Sequence, residues 1–254
     1  MTAHFNWVWN CGGEIMEAVQ IFVEGAGDVL FIMHLLMTIE PALVGRWKKC
    51  PTGDEIDETQ FQPPKLTMKA IWRERLLVIH SMNGVSNIFP MLEAALTSLC
   101  VDVGERDIHL VKNVFVVDAD NSIRRNGTGG ITAAKSKIAN EINRCRALGI
   151  DCAGFAMPND KSDGTLENLL EGMIPQSNRK VVDCCWRGFE VCTKANGAKY
   201  SPPLKSMIDV YAKLFNHDAN QGIFASCSFK DKTVWDWSAS ILDPLKKFLK
   251  AEVL

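Results

Sequence analysis

The stretch AVQIFVEGAGD, residues 18–28, is an apolar run that stops at Glu24-Gly25. Six residues broken only by Gln20 read as a strand buried on both faces, and the glycines after it permit a tight turn. Apolar residues then continue from Val29 to Met37 and Pro41 closes the segment, which predicts a helix to about Thr38. The same grammar recurs downstream. LLVIH (76–80) is a second buried strand, followed by an Asn83-Gly84 turn and helical spacing from Ile88 to Leu99. Val111–Val117 is a third strand and ends at Asp118. A glycine-rich loop (126–130) leads to an amphipathic helix over Thr132–Leu148, and Ala153–Met157 is a short fourth strand before Pro158.

Strands alternating with helices imply an α/β fold: a Rossmann-like, mostly parallel sheet flanked by helices. Residues 18–175 form this domain. Within it, residues 40–64, rich in proline, charge and polar side chains, read as a surface insertion. Residues 1–17 are an N-terminal extension. Beyond Pro175 the spacing is helical, in Leu204–Phe215 and Ile241–Leu249, so residues 176–254 are expected to form a helical C-terminal cap packed on the same domain.

The formal net charge of -2 excludes a protein that coats nucleic acid by a broad basic field, so any such contact must be local or carried by metal ions. No run of about 18 apolar residues is present, which argues against a membrane span. The first residues, MTAHFNWVWN, lack a basic start followed by an apolar run and do not read as a secretory signal. Nine scattered cysteines without a C-x-x-C pair point to reduced thiols and a cytoplasmic setting. Cys184, Cys185 and Cys192 are expected to pack as small hydrophobes.

In an open parallel sheet, ligands bind beyond the carboxyl ends of the strands. Two of the predicted strands end there in acids. Glu24 and Asp28 are one helical turn apart, and Asp118 and Asp120, two apart in an extended segment, would point the same way. Four carboxylates gathered together repel unless a hard cation sits among them, and oxygen ligands suit Mg²⁺ or Mn²⁺. Each pair alone is weak, since loops are rich in aspartate and Asp28 could serve only the helix dipole. Both pairs on buried strand ends are harder to ascribe to chance.

IFVEGAGD, LLVIHSMNG and VFVVDADN in this order resemble the Toprim family of nucleic-acid enzymes. The stretch from Asp118 through MPNDKSDGTLENLLEGMIP to SFKDKTVWDW resembles a Toprim-like family of stand-alone bacterial proteins related to the nuclease domain of OLD-type proteins. The resemblance covers Ala18 to the C-terminus. It implies that Glu24 is a metal ligand with an acid/base role, that Asp28, Asp118 and Asp120 share the metal site, and that Glu167 adds a further acid. It places Lys232 near a scissile phosphate. The Glu24–Asp118 separation of 94 residues exceeds the compact domain's need, and the 40–64 insertion absorbs the excess. An OLD-type ATPase would have to come from a separate partner chain.

The expected chemistry is therefore divalent-metal-dependent phosphodiester cleavage, by a nuclease acting on nucleic acid or by an enzyme acting on another phosphoester. Two metals could activate water and stabilise the leaving oxygen. Arg124 and Arg125 read as a solvated loop. GGITAAKS (129–136) misses the Walker A pattern at Ala134 and reads as a helix start with Lys135 exposed. His80 is expected to be packed, and Trp235 and Trp237 to belong to core and lid rather than to stack on bases. The rival reading is a non-catalytic Toprim-like module that binds metal, nucleotide or a partner.

Overall fold

The structure is a computed structural model that describes residues 8–9, 15–50, 66–82, 107–120, 129–195, 204–215 and 228–254. The expected Asn83-Gly84 turn, the helix over 88–99, Arg124, Arg125 and the glycines before 129 lie outside the described residues. In chain order the elements are β1 (Val8–Trp9), β2 (Met16–Val23), α1 (Ala26–Ile39), β3 (Lys48–Lys49), β4 (Thr67–Trp72), β5 (Arg75–Ser81) and β6 (Ile108–Asp118). They continue with α2 (Ile131–Ala147), β7 (Asp151–Met157), α3 (Leu166–Gly172), α4 (Gln176–Ala195), α5 (Leu204–Phe215) and α6 (Asp243–Glu252).

The four apolar runs form the parallel centre of a seven-stranded sheet, in the order β5-β2-β6-β7. Edge strands β4 and β3 continue antiparallel from β5, and β1 pairs antiparallel with the start of β6. The N-terminal extension thus contributes a strand and the first residues of β2. The expected insertion is corrected in its first part. Pro41–Leu43 form a 3-10 turn, Leu43 is fully buried, and Lys48–Lys49 pair with β4, so 40–50 is anchored to the sheet; 51–64 lie outside the described residues.

Helix α1 is buried almost all round, as its unbroken apolar sequence requires. One side rests on the sheet and the other meets the cap, where Phe31 stacks on Trp237 at 5.7 Å. Phe31, Ile32, Leu35 and Leu36 have no exposed surface. Truncating any one to alanine should cost about 2–5 kcal/mol. Helix α1, the sheet and residues of α3, α5 and α6 share one core. Lys112 of β6 ties the last helix to the sheet through Asp151 at 3.1 Å and Glu252 at 2.6 Å.

The opposite sheet face packs against α2 through Ala134, Ile138 and Cys145. That helix ends where Gly149 takes φ 78, and the N–H of Ile150 returns to the Cys145 carbonyl at 3.1 Å. From β2 the chain crosses to β5 by way of α1 on one face. From β6 it crosses the other way to β7 by way of α2 on the other. The adjacent strands β2 and β6 therefore flank a topological switch point, the crevice where open α/β sheets take ligands.

Candidate functional site

Both strands at the switch point end in the acids singled out from sequence. The register sets Val23 beside Val116, so Glu24 and Asp118 leave adjacent strands at the same edge. Gly25 caps α1 with extended backbone, and Asp28, on the helix's first turn, accepts the Gly25 N–H at 2.7 Å. A side chain at position 25 would press on the acid, since a Cβ there would lie 3.3 Å from Asp28 Oδ2.

Asp118 Oδ1 accepts the Leu166 N–H at 2.9 Å, at the start of α3. Thr165, which caps that helix, donates its hydroxyl to Glu167 at 2.6 Å. Two backbone hydrogen bonds, at 2.8 and 2.9 Å, bridge Asp120 to Gly164 and hold the loop after β7 against the end of β6. Gly164 has φ 151, and a Cβ there would lie 2.8 Å from Pro158 and from the Asn168 side chain, so no larger residue fits.

The charges of these acids act on one another. Burial, with the charges of Glu24 and Glu167, pushes the Asp28 carboxyl up to about 7 against the opposing pull of the Gly25 N–H and Lys205. Burial likewise holds Asp118 well above the carboxylate range, reinforced by Asp28, Glu24 and Glu167 and opposed by the Leu166 N–H. Lys205 Nζ stands 3.8 Å from Glu167. Sequence reading passed over this lysine, because a lone cation at the start of α5 belongs to no motif.

The structure thus sets Glu24, Asp28, Asp118 and Glu167 within electrostatic reach of one another. Two residues are placed otherwise than expected. Asp120 has φ 60 and lies beyond the end of β6, so the argument that residues two apart in extended chain point the same way does not apply to it. Lys232 is exposed and lines a separate hollow against Met33, His34 and Met37 of α1; among the described residues it is Lys205 that acts on Asp28 and Glu167. As a test of fit, the oxygen donors suit Mg²⁺ or Mn²⁺, and two buried carboxyls facing like charge want a positive partner. Among the described residues, however, no three His, Cys, Asp or Glu side chains already converge as a ready metal-ligand group.

The other expectations resolve by burial. His80 is fully buried, stacks on Phe22 at 5.2 Å and shares a hydrogen bond with Thr67 at 3.0 Å; burial pushes its imidazole down to about 3. Trp235 and Trp237 are core, as expected. Lys135 is half exposed and pairs with Asp160 at 3.1 Å. Cys184, Cys185 and Cys192 lie exposed on α4, which corrects the expectation that they pack. That amphipathic helix turns much of its length to solvent. Among the described residues, no helix is long and apolar enough to cross a membrane.

Residues 18–253 match the family described as Protein of unknown function (DUF3226). The chain belongs to this DUF3226 family. The match runs through both the sheet and the cap, so the family's unit includes the helices that cover α1. A comparison with curated proteins gives no match for this DUF3226 member. It is similar to the solved structure of hypothetical protein PH0156 from Pyrococcus horikoshii OT3, at 18% identity and a TM-score of 0.41, over 92% of this chain and 100% of that one.

Proposed function

We propose that the carboxyl edge between β2 and β6 binds Mg²⁺ or Mn²⁺ and hydrolyses a phosphodiester, in the manner of a Toprim-type nuclease acting on nucleic acid. One observation carries the reading: two buried carboxyls, Asp28 and Asp118, stand at the switch point and are raised by burial and by the charges of Glu24 and Glu167. Structural acids are usually placed to be stabilised when ionised. These are placed to be uncomfortable when ionised, which is the condition a cation relieves.

Glu24, Asp28, Asp118 and Glu167 would hold the ion, with Asp120 available from the same edge. A bound divalent ion supplies Lewis-acid activation of water and of the phosphoryl oxygen. The chain's own residues position and tune. The Gly25 and Leu166 N–H groups orient the two buried carboxylates, and Lys205 offsets part of the charge of Asp28.

The same two hydrogen bonds favour a second reading, a non-catalytic module in which the acids serve as caps for α1 and α3. Nicking of supercoiled plasmid with Mn²⁺, in parallel with Mn²⁺ titration by electron paramagnetic resonance, separates them. Cleavage that disappears in Asp118→Asn supports the nuclease. Mn²⁺ binding without cleavage of DNA, RNA or a small phosphodiester favours the module, and absence of Mn²⁺ binding defeats the metal site altogether.

A further inference from the structure

A second concavity lies along the middle and C-terminal part of α1, walled by the loop after residue 228 and by the start of α6. It measures about 1270 Å³, more than the roughly 300–1,000 Å³ that holds a compact small molecule. Its surface has two characters. Met33, Met37, Met68 and Trp47 give it an apolar, polarisable lining. Lys230, Lys232 and Lys246 stand around it, from two separate elements, and Lys246 spends one of its N–H donors on the Trp237 carbonyl at 2.6 Å. Asp236 shares this wall as a carboxylate kept ionised by Ser238, whose N–H and hydroxyl both donate to it at 2.9 and 2.5 Å, and by Lys246 beside it. Among the described residues the indole N–H of Trp47 is buried without an acceptor.

An amphiphile with one headgroup would need one cationic locus beside an apolar cleft. Three lysines distributed around a long hollow match a ligand that repeats its charge and carries flat apolar groups between the charges. We propose that this hollow holds a segment of single-stranded nucleic acid, with the lysines on successive phosphates and Trp47 and the methionines against the bases. The choice of ligand rests on the phosphodiester reading above. Asp28 and His34 are six residues apart on α1, roughly 9 Å along the axis, so a strand leaving the acidic edge reaches the hollow within a few nucleotides. In this arrangement Lys232 anchors the strand away from the acids.

The test is fluorescence anisotropy of a short labelled oligothymidylate with the full chain in EDTA, across a salt series. Binding is expected without metal, with a log–log salt slope that falls by about 0.7 for each lysine replaced in Lys230→Gln and Lys232→Gln. Trp47→Leu, checked by its melting temperature, should weaken binding about 5- to 100-fold. Absence of oligonucleotide binding while Mn²⁺ still binds overturns the hollow and leaves the acidic site standing. Binding in EDTA by a chain that takes up no Mn²⁺ supports the hollow and removes the metal reading alone. A salt slope unmoved by the lysine replacements, or capture of anionic lipid vesicles in place of the oligonucleotide, overturns the proposal.

Discussion

The Asp118 carboxylate accepts the backbone N–H of Leu166 at 2.9 Å, across 48 residues of chain. One buried acid therefore both ends a central strand and begins a helix. Asparagine preserves an acceptor there and removes the charge, whereas alanine removes both. Asp118→Asn should retain the fold and lose at least tenfold in Mn²⁺ affinity. Asp118→Ala should be less stable than Asp118→Asn by about 1 kcal/mol, the usual worth of such a bond. Urea unfolding and calorimetric metal titration read the two effects separately, and equal Mn²⁺ affinity in all three proteins would remove Asp118 from the site.

Asp28 sets a pH dependence. The folded chain keeps this proton from the ordinary value of 3.8 up to about 7, a range in which the unfolded chain has already lost it. Metal-free stability should therefore fall as pH rises across that window and level off above it. The change is on the order of 2–4 kcal/mol. In Asp28→Asn the slope flattens and stability near pH 8 rises, measured by urea unfolding in EDTA. Mn²⁺ affinity should run the opposite way, climbing with pH to about 7, because the ligand must first ionise.

Lys205 should matter to titration and hardly at all to stability. Its side chain is 64% exposed and 3.8 Å from Glu167, so the pair is worth about 0–1 kcal/mol. Removing its charge takes away the cation that lowers Asp28. Lys205→Gln is expected to shift the pH profile of Mn²⁺ binding to higher pH with little change in melting temperature. An unmoved profile would mean that Lys205 does not act on the acids.

Gln20 is fully buried on β2, and neither its amide nitrogen nor its amide oxygen has a hydrogen-bond partner among the described residues. A buried amide in that state carries its desolvation cost without compensation. Gln20→Leu should stabilise the chain by about 1–3 kcal/mol in urea unfolding. Destabilisation would show that the amide has a partner in solution.

The parallel centre was legible because strands buried on both faces leave nearly continuous apolar runs, and AVQIFV, LLVIH and FVV are such runs. Strand β4 was not. TMKAIW places Lys69 inside the strand, and its turn into β5 uses Arg73 and Glu74 at positive φ, where glycine or asparagine would have marked a hairpin. Glu24 and Asp118 could be read because strand ends are readable. Glu167 came from the resemblance alone, since only closure of α3 onto β6 brings it near. The D-x-D inference misplaced Asp120 by assuming that the strand continued. Lys205 was invisible because its role arises from helix packing, which no local pattern encodes.

The crevice between β2 and β6 draws its acids from positions 24, 118 and 167, so it has no local precursor in the chain. Parallel pairing over such separations forms slowly and at high contact order. A cation that needs the completed cluster has little to bind in a partly folded chain. In stopped-flow experiments Mn²⁺ should leave the refolding rate nearly unchanged and slow unfolding, the behaviour of contacts absent from the transition state. The placement that serves ligand binding would then also set how long the finished protein lasts, with the ion as a latch on a door already shut.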